Sequence, residues 1–268
     1  MGAYIIDTTL RDGEQNAGIA LGVVEKVEIA KLLDELGVYQ IEAGIPAMGG
    51  GEKESIAKIA GLNLHSKVSA WNRMNIGDLE HSVDCGVNTV HISVPSSDIQ
   101  IRRKLYKDRN WVIDNLKRCI AYLKDREREV TVGLEDASRA DFRFLLRIIG
   151  TAFLEGANRV RYADTVGILY RQRIIEEITK IREKIKIDLE IHAHNDFGMA
   201  VANSLAAYSA GAAFVNCTVG GIGERAGNCD YFQFIKAAEG CLGESAGTDG
   251  DRAAYIRGEI LRIIRHGV

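Results

Sequence analysis

The amino-acid sequence predicts an α/β protein, a single-domain (β/α)8 TIM barrel spanning residues 1–268, and three observations support this fold class. The chain has 268 residues, and an α/β barrel commonly fills about 250 residues as one domain. Eight β-rich runs alternate with helical patterns along the chain. The first run is not followed by the GxGxxG turn that is typical of a doubly wound sheet.

The eight predicted strands are short runs rich in β-branched and aromatic residues. In chain order they are YIIDTT at 4–9, VYQIEAG at 38–44, KVSAW at 67–71, NTVHISV at 88–94, EVTVGLE at 129–135, NRVRYAD at 158–164, KIDLEIHAH at 186–194 and AAFVNCTV at 212–219. An open sheet of this length would usually contain fewer strands, so the number of runs favours a closed barrel.

The predicted helices lie between these runs, where apolar residues recur at helical spacing. Two clear examples are Ile29, Leu32, Leu33 and Leu36 before Gly37, and Ile174, Ile178, Ile181 and Ile185. The final stretch, DRAAYIRGEILRIIRHGV, is an extra C-terminal amphipathic helix with Ile256, Ile260 and Ile263 or Ile264 on its apolar side. We expect this helix to close the barrel, the alternative being a docking element for a partner.

Composition narrows the classes of partner. Hydrophobic residues make up 46% of the chain and the net charge is −3, so no overall positive field attracts nucleic acid or an anionic membrane. The uncharged stretch 197–223 is interrupted by glycines and polar residues, which indicates a small-residue helix and a buried strand rather than a membrane span. We expect no nucleic acid and no membrane as partners, and an anionic ligand needs a local site.

The cysteines and the N-terminus predict a cytoplasmic location. The five cysteines form no CxxC pair, so neither a disulfide framework nor a structural zinc site is indicated. The first residues, MGAYIIDTTLRD, lack the basic and apolar regions of a signal peptide.

A divalent metal site is one of two readings of the seventh run. Strand periodicity places His192 and His194 on the same face, where they point into the barrel mouth. Two imidazoles aimed together suit a divalent metal, whereas two core histidines held by hydrogen bonds are the alternative. Asp12, after the first run, is the obvious carboxylate ligand, and Asp196 lies close by in sequence.

Three further residues at or just after strand ends are candidates for catalysis or metal binding. Arg11 precedes Asp12 beside a glycine, and the alternative reading of this pair is a solvated ion pair. Glu135 ends the fifth run as a candidate for acid/base work, and its alternative is a partner for Arg11 or another buried cation. The glycine-dense loop 220–228 is either a simple turn or a way to present the amide oxygen of Asn228 to the metal.

Two inward side chains are candidates for selecting the substrate. Alternation from Ser93 and Thr165 places His91 and Arg161 inside the barrel, where a second carboxylate of a substrate would need a cation. Arg161 could instead be a structural arginine paired with Glu42 or Glu190.

Five motifs carry a family resemblance: TTLRDGEQ, GLEDASRAD, RYADTVGI, HAHND and GGIGERAGN occur in that order. Together they resemble the catalytic barrel of the metal-dependent Claisen-condensing acyltransferases, which are the isopropylmalate, citramalate and homocitrate synthases. HISVPSSDIQI and RVRYADT are most similar to the homocitrate synthases of nitrogen fixation. The resemblance covers nearly the whole chain.

The resemblance implies an acyltransferase that condenses acetyl-CoA with a 2-oxo acid, with 2-oxoglutarate, giving homocitrate, as the expected case. It makes Asp12, His192 and His194 the ligands of Mg, Mn or Zn, with Asn228 in or beside the coordination shell. It also gives Arg11 and Glu135 catalytic roles, and it places Thr165 beside the 2-oxo acid. Arg11 then contacts substrate as well.

Two departures from the family pattern accompany the resemblance. Family enzymes continue into C-terminal subdomains that contribute a catalytic histidine, and this chain stops at Val268. We therefore expect one subunit of a split enzyme, joined by a separate C-terminal subunit, a second copy of itself, or both. The lysine-pathway homocitrate synthases carry arginine and serine where this chain has Thr131 and Gly133, which leaves the choice of 2-oxo acid open.

Two alternative functions use the same barrel. Hydroxymethylglutaryl-CoA lyases and 4-hydroxy-2-oxo acid aldolases run related chemistry in reverse, but the lyases carry a catalytic cysteine in the loop after the eighth strand. Here the loop 220–228 contains none, and Cys229 follows it. The third reading is a non-catalytic subunit that binds metal and 2-oxo acid.

Overall fold

The eight strands close into one parallel barrel in a computed structural model that describes residues 2–244 and 250–266. They are Tyr4–Asp7 (β1), Gln40–Glu42 (β2), Lys67–Arg73 (β3), Thr89–Pro95 (β4), Glu129–Glu135 (β5), Arg159–Asp164 (β6), Asp188–Ala193 (β7) and Phe214–Cys217 (β8). Each strand pairs with the next, and β8 pairs with β1, where Ile5 lies opposite Val215. The predicted (β/α)8 barrel is confirmed.

The observed strands agree with the predicted runs, and β2 differs most from its run. It covers three residues rather than the predicted 38–44. Glycines with positive φ flank it, Gly37 at 81° and Gly44 at 148°, and this backbone region is open mainly to glycine. Both glycines therefore mark turns on either side of a short strand.

Helices follow the strands around the outside of the barrel. They are Val23–Glu35 (α1), Gly50–Ala60 (α2), Ile76–Asp84 (α3), Arg109–Lys124 (α4), Phe142–Leu154 (α5), Arg171–Lys184 (α6), Ala200–Ser209 (α7), Tyr231–Leu242 (α8) and Gly250–His266 (α9). Side chains of Asn75, Asp108, Asp141 and Asp230 accept hydrogen bonds from backbone N–H groups in the first turns of α3, α4, α5 and α8. Such caps satisfy donors that the helix itself leaves unpaired.

The apolar core lies between the sheet and the helices, whereas the inside of the barrel is polar. Strand residues alternate between the two environments: Ile41, Ile92 and Val160 belong to the hydrophobic core, and their neighbours Glu42 and Arg161 are buried and charged. Barrels of this class more often fill their interior with branched apolar side chains. The charged interior therefore has to be paired internally, and this pairing shapes the floor of the site.

The extra C-terminal helix packs as predicted. Ile256, Ile260, Ile263 and Ile264 are all buried, and α9 contacts α1 and the short turn Val219–Gly221 that follows β8. The last two residues of the predicted stretch, 267 and 268, lie outside the described residues. The uncharged stretch 197–223 forms α7 and β8, as predicted. Within the described part of the chain, no helix combines the length and apolar character needed to cross a membrane.

Candidate metal centre and active site

Three potential metal ligands converge where the loops after β1, β7 and β8 meet. Asp12 belongs to the turn after β1, His192 lies in β7 and His194 follows it directly. One ligand atom of each lies within 4.8 Å of the others. The two Nε2 atoms are 3.2 Å apart, and they lie 3.6 and 3.9 Å from Asp12 Oδ2. The structure therefore brings together the three residues that the sequence predicted.

The second nitrogen of each imidazole faces an oxygen acceptor. His192 Nδ1 lies 2.8 Å from Asn216 Oδ1, and Asn216 Nδ2 donates to Glu190 Oε1, which fixes the orientation of the amide. His194 Nδ1 lies 3.3 Å from the carbonyl oxygen of Gly227. Because both Nδ1 atoms must donate, both Nε2 atoms carry lone pairs. Two lone pairs directed at each other within a buried cluster suit a cation placed between them.

The charge state of the cluster also suits a cation. Burial and the neighbouring His194 lower the pKa of His192 to about 3, so its imidazole is neutral. Burial alone would raise the pKa of Asp12, but Arg11, the two imidazoles and the amide of Asn228 together hold it well below its usual range. Two imidazoles and one carboxylate form a common ligand set for divalent metals.

Asn228 completes the surroundings of Asp12. Its Nδ2 donates to Asp12 Oδ1 at 2.7 Å and to the carbonyl oxygen of Ile222 at 3.0 Å. Its Oδ1 is buried and has no hydrogen-bond partner among the described residues, so this oxygen is available as an acceptor or a metal ligand. Gly223 allows this approach, since a Cβ there would lie 2.0 Å from Asn228 Nδ2. The predicted place of Asn228 in the coordination shell stays a prediction.

Arg11 is held rigidly beside Asp12. Its Nη1 lies 2.7 Å from Asp12 Oδ2 and its Nε lies 2.6 Å from Glu42 Oε1. The Arg11 and Asp12 side chains are only 7% and 3% exposed, so the alternative of a solvated ion pair is wrong. Arg11 Nη2 makes no hydrogen bond to the part of the chain that the structure describes, and it remains available as a donor in the pocket.

Glu42 is a residue that the sequence analysis undervalued. Its buried carboxylate accepts hydrogen bonds from Thr8, Arg11, His91 and Arg161. Burial would raise the pKa of Glu42, but the Arg161 and Arg11 guanidiniums lower it well below the usual range. An inward acid in the third residue of a short buried strand was the only available signal. Glu42 therefore orients three side chains that line the pocket, Arg11, His91 and Arg161, and the adjoining Thr8.

Arg161 lies inside the barrel, where it is paired on both sides. Its Nε lies 2.5 Å from Glu190 Oε1 and its Nη2 lies 2.7 Å from Glu42 Oε2. The alternative, a structural arginine paired with Glu42 or Glu190, therefore describes its contacts. Arg161 also lines the pocket, and its role in selecting a substrate stays a prediction.

His91 lies next to Arg161 and is neutral. Burial and the charge of Arg161 lower the pKa of His91 to about 4, against the opposing effect of Glu42. With Nδ1 3.0 Å from Glu42 Oε2, Nε2 is left as an acceptor, and it has no partner among the described residues. A Cβ on Gly133 would lie 2.1 Å from this Nε2. In this state His91 does not supply the cation that the sequence analysis sought for a second carboxylate.

Glu135 is the last residue of β5 and Thr165 follows β6, and both line the pocket. Glu135 accepts hydrogen bonds from Ser93 Oγ, Gln100 Nε2 and Lys104 Nζ at 2.8–2.9 Å. Its ion-pair partner is thus Lys104, not Arg11. Thr165 Oγ1 accepts from the backbone N–H of Asp136 at 2.8 Å, which leaves its own proton free to donate.

Most of the predicted site residues line one pocket of about 130 Å³. Eight of the nine predicted site residues line it: Arg11, Asp12, His91, Glu135, Arg161, Thr165, His192 and His194. The ninth, Asn228, adjoins it through Asp12. Trp71, Gln15 and Glu224 also line the pocket and were not predicted. Gln15 and Glu224 lie within the motifs TTLRDGEQ and GGIGERAGN, but neither was given a role, and Trp71 lies in β3 outside the five motifs.

Three of the loops at the mouth are tied together by Arg225. Its guanidinium binds both oxygens of Asp196 at 2.8 and 2.9 Å and donates to the carbonyl oxygen of Thr165 at 2.7 Å. Asp196, which the sequence placed near the metal histidines, is therefore a partner of Arg225. Gly167, with a φ of 63°, makes room, since a Cβ there would lie 2.4 Å from Asp196 Oδ2.

Comparison with known proteins gives one family and several close relatives. Residues 3–251 match the HMGL-like family. The chain is 57% identical over 267 residues to the homocitrate synthase subunit alpha of Clostridium pasteurianum, and the match covers 99% of each chain. It is 47% identical to 2-isopropylmalate synthase 2 of Caldanaerobacter subterraneus and 46% identical to homocitrate synthase 1 of Nostoc. The chain spans only 65% and 66% of those two proteins.

Solved structures with the same fold are more distant in sequence. The HMG-CoA lyase of Bacillus subtilis superposes with a TM-score of 0.84 at 17% identity, covering 98% of this chain and 94% of that one. The carboxyl transferase domain of Rhizobium etli pyruvate carboxylase gives a TM-score of 0.80 at 15% identity, covering 98% and 48%. At these identities the likeness concerns the fold alone.

Proposed function

The chain belongs to the HMGL-like family, and from this membership and the geometry of the pocket we propose that it condenses acetyl-CoA with a 2-oxo acid. The observation that carries the proposal is the convergence of Asp12, His192 and His194 on one point of a pocket that Arg11 also lines. The relatives named as homocitrate and isopropylmalate synthases support the class of reaction.

The proposed chemistry assigns a task to each side chain. A divalent ion held by Asp12, His192 and His194, with Asn228 beside it, would supply a Lewis acid for the 2-oxo acid. Arg11 Nη2 donates to the oxygen on which negative charge develops. The free hydroxyl proton of Thr165 is available for a substrate carboxylate.

Glu135 is the proposed acid/base group. Ser93 Oγ donates to Glu135 Oε2 at 2.9 Å, so this hydroxyl and this carboxylate form a short path along which a proton can move. The sequence resemblance places the principal base of the family outside the barrel, which makes Glu135 an assistant in proton transfer.

The proposed 2-oxo acid is 2-oxoglutarate, which gives homocitrate. The names of the Clostridium and Nostoc relatives support this choice. Arg161 and His91 line the pocket and are the proposed contacts of the distal carboxylate. His91 would donate to that carboxylate only with a proton on Nε2, since this nitrogen otherwise carries a lone pair. The Thr131 hydroxyl in β5 is buried without a partner among the described residues. We keep Mg, Mn and Zn as the candidate ions, since imidazole and carboxylate ligands suit all three.

The proposed assembly includes a second polypeptide. A relative that matches this chain over 99% of both lengths is named a subunit alpha, which supports a separate partner subunit. Association of two copies of this chain stays a prediction. The proposed location is the cytoplasm, in keeping with five free cysteines, four of which are buried. The single-domain assignment of residues 1–268 stays a prediction.

A lyase or aldolase of the hydroxymethylglutaryl-CoA lyase type is the second candidate, favoured by the shared barrel. The absence of a cysteine from the loop 220–228 argues against it, and Cys229, the nearest in sequence, is fully buried. A subunit that binds metal and 2-oxo acid without catalysis is the third candidate.

One assay tests these candidates together. The purified chain is incubated with acetyl-CoA, a divalent metal and either 2-oxoglutarate, 2-oxoisovalerate or pyruvate, and CoA release is followed with mass spectrometry of the product. We expect homocitrate from 2-oxoglutarate. A parallel incubation supplies hydroxymethylglutaryl-CoA in place of acetyl-CoA and the 2-oxo acid; its cleavage without any condensation in the first assay would replace the proposal with the lyase. Binding of metal and 2-oxo acid without turnover, even with a partner subunit, would favour the non-catalytic subunit.

A further inference from the structure

A buried lysine on α1 contacts the turn that carries Arg11 and Asp12. Lys26 is 1% exposed, and it is the only buried lysine in the described part of the chain. Lysine side chains are almost never fully buried unless they are paired. Lys26 does not line the catalytic pocket, and the proposed mechanism gives it no task. Its contacts therefore need a separate explanation.

All three protons of the Lys26 ammonium group have an acceptor. Nζ lies 2.5 Å from Glu14 Oε2 and 3.5 Å from the carbonyl oxygen of Leu10, and it also binds Glu52 Oε2. An ammonium group has three donors, so these three oxygens satisfy it completely. The Glu14 and Glu52 side chains are only 22% and 13% exposed. Because solvent and salt screen partly buried pairs less than surface pairs, these contacts hold the surrounding chain firmly.

The contact with Leu10 fixes the peptide group that precedes Arg11. The Leu10 carbonyl, which accepts from Lys26, and the Arg11 N–H belong to one planar peptide group. This N–H donates to the carbonyl oxygen of Thr8 at 3.1 Å. Both polar atoms of the peptide group are therefore held. Because the orientation of this group sets the direction in which the Arg11 side chain leaves the backbone, Lys26 acts on that direction.

The contact with Glu14 holds the chain two residues beyond Asp12. Glu14 Oε2 binds Lys26, and Glu14 Oε1 accepts a hydrogen bond from the backbone N–H of Leu21 at 3.0 Å. Four of the six residues from 15 to 20 are exposed, so packing restrains this segment little. Lys26 therefore holds the turn both before and after Asp12.

The contact with Glu52 links the same turn to the loop after β2. Glu52, in the first turn of α2, binds Lys26 through Oε2 and accepts from the backbone N–H of Ile45 through Oε1 at 2.8 Å. This loop follows Glu42, whose Oε1 lies 2.6 Å from Arg11 Nε. Lys26 therefore connects the two backbone segments that carry the members of the Arg11–Glu42 ion pair.

We propose that Lys26 is a positioning residue, which holds the turn after β1 so that Asp12 faces the two metal histidines and Arg11 faces the pocket. This inference rests on the proposed metal centre and condensation. Lys26 acts through the backbone of the turn, because its three donors are all used by Leu10, Glu14 and Glu52. Such preorganisation matters for catalysis, since a displacement of about 1 Å can cost about 10²-fold in rate.

The Lys26→Met variant tests the proposal through metal affinity. We expect the Kd of Zn²⁺, measured by competition with a chromophoric chelator, to rise about 10–100-fold, the range typical for the loss of a group that orients a ligand. The measurement is made well below the melting temperature, where lower stability alone leaves the Kd unchanged. Lys67→Met is the matched control, because Lys67 pairs with Glu129 at the end of the barrel away from the mouth. Equal Kd values in the two variants would overturn the proposal.

Two further variants separate positioning from folding. Lys26→Met leaves two partly buried carboxylates without a cation, which is strongly destabilising. The variant Lys26→Met/Glu14→Gln/Glu52→Gln removes this repulsion but leaves the Leu10 carbonyl without its donor, so the Kd of Zn²⁺ should stay at least about tenfold above the parent value. A parent-like Kd in this folded variant would overturn the proposal. Lys26→Arg, which keeps a cation with several N–H donors, should restore most of the metal affinity; a Kd as high as in Lys26→Met would contradict the role of the cation.

The inference and the proposed function can fail separately. Kd values as expected, together with no condensation of any 2-oxo acid even with a partner subunit, would support the role of Lys26 and count against the condensation. Condensation by the parent protein, with the same kcat and the same Kd of Zn²⁺ in Lys26→Met, would support the condensation and overturn the role of Lys26.

Discussion

At the scale of single residues, the metal centre depends on the groups behind its ligands. Asn216 accepts a hydrogen bond from His192 Nδ1 and is itself oriented by Glu190. The carbonyl oxygen of Gly227 does the same for His194. These contacts fix the tautomer of each imidazole and turn its free nitrogen to the site. The metal centre therefore depends on partners behind its ligands, and one of them, Asn216, lies outside the five motifs.

Replacing Asn216 tests this tautomer argument. Asn216→Ala removes the acceptor of His192 Nδ1, and we expect metal affinity to fall about 10–100-fold, which is typical for the loss of an outer partner. Competition with a chromophoric chelator measures the change. Asn203→Ala is the matched control, because Asn203 is an equally buried amide that binds the carbonyl oxygen of Leu169 instead. Equal metal affinities in the two variants would contradict the argument.

The buried carboxyl of Asp7 should make the stability of the fold depend on pH. Burial raises the pKa of this carboxyl to about 7, against two opposing hydrogen bonds from Thr9. Its ordinary value in an unfolded chain is about 3.9. The folded protein therefore binds this proton more tightly, so the contribution of Asp7 to stability is fully present below about pH 4 and is lost as the pH rises through about 7.

The Asp7→Asn variant isolates this effect from other titrating groups. The free energy of unfolding of the variant, relative to the parent protein, should rise by on the order of 4 kcal/mol between about pH 4 and pH 7 and then level off. Urea unfolding at a series of pH values measures it. Stability curves that stay parallel across this range would show that Asp7 titrates normally in the folded protein.

The sequence located most of the site because strand ends of a barrel converge on one mouth. His192, His194, Asp12 and Glu135 could be found from alternation and strand order alone. It named Glu42 and Glu190 as alternative partners of Arg161, and both pairs form. It did not predict that Glu42 also accepts hydrogen bonds from Arg11 and His91. Which buried charge faces which depends on side-chain directions inside the closed barrel.

At the scale of elements, the mouth is built from loops that are tied to one another. Arg225 on the loop after β8 binds Asp196 after β7 and the carbonyl oxygen of Thr165 after β6. The strands themselves matched the predicted runs because β-branched and aromatic residues mark them. The ties between loops carried no comparable pattern and emerged only from the structure.

Removing the Arg225 guanidinium should lower catalytic efficiency more than it lowers stability. Arg225→Ala breaks a half-exposed pair, for which we expect a loss of stability of under about 1 kcal/mol. Because Thr165 loses a fixed neighbour, kcat/KM for the 2-oxo acid should fall about tenfold or more. Steady-state kinetics and thermal melting measure the two effects. Arg262→Ala is the control, because it removes a similar ion pair with Glu259 on α9. We expect it to change neither kcat/KM nor the melting temperature appreciably. An equal fall in kcat/KM in both variants would contradict the role given to Arg225.

At the scale of the whole molecule, the barrel combines the pocket at its mouth with a charged interior. Arg161, Glu42 and Glu190 fill the floor with paired charges, and the apolar core lies outside the sheet. The floor is therefore a fixed polar platform beneath the metal cluster. This pocket does not decide whether the barrel alone is fully active, because a relative of the same length is named as one subunit of its enzyme.

The isolated chain should therefore turn over slowly. If a partner subunit supplies the principal base, its absence costs about 10²–10⁴-fold in rate, while metal and 2-oxo acid binding persist. Steady-state CoA release by the chain alone measures this, with metal binding recorded on the same sample. Turnover near about 10 s⁻¹, the typical enzyme value, would show that the barrel carries its own base.

The metal content of the purified protein tests the central claim most directly. After equilibration with a divalent metal and dialysis, the parent chain and its His65→Ala variant, altered at an exposed histidine, should each retain one ion per chain. The His192→Ala/His194→Ala variant should retain none and keep the circular dichroism spectrum of a folded barrel. One tightly held ion per chain in that folded double variant would contradict the assignment of Asp12, His192 and His194 as the metal centre.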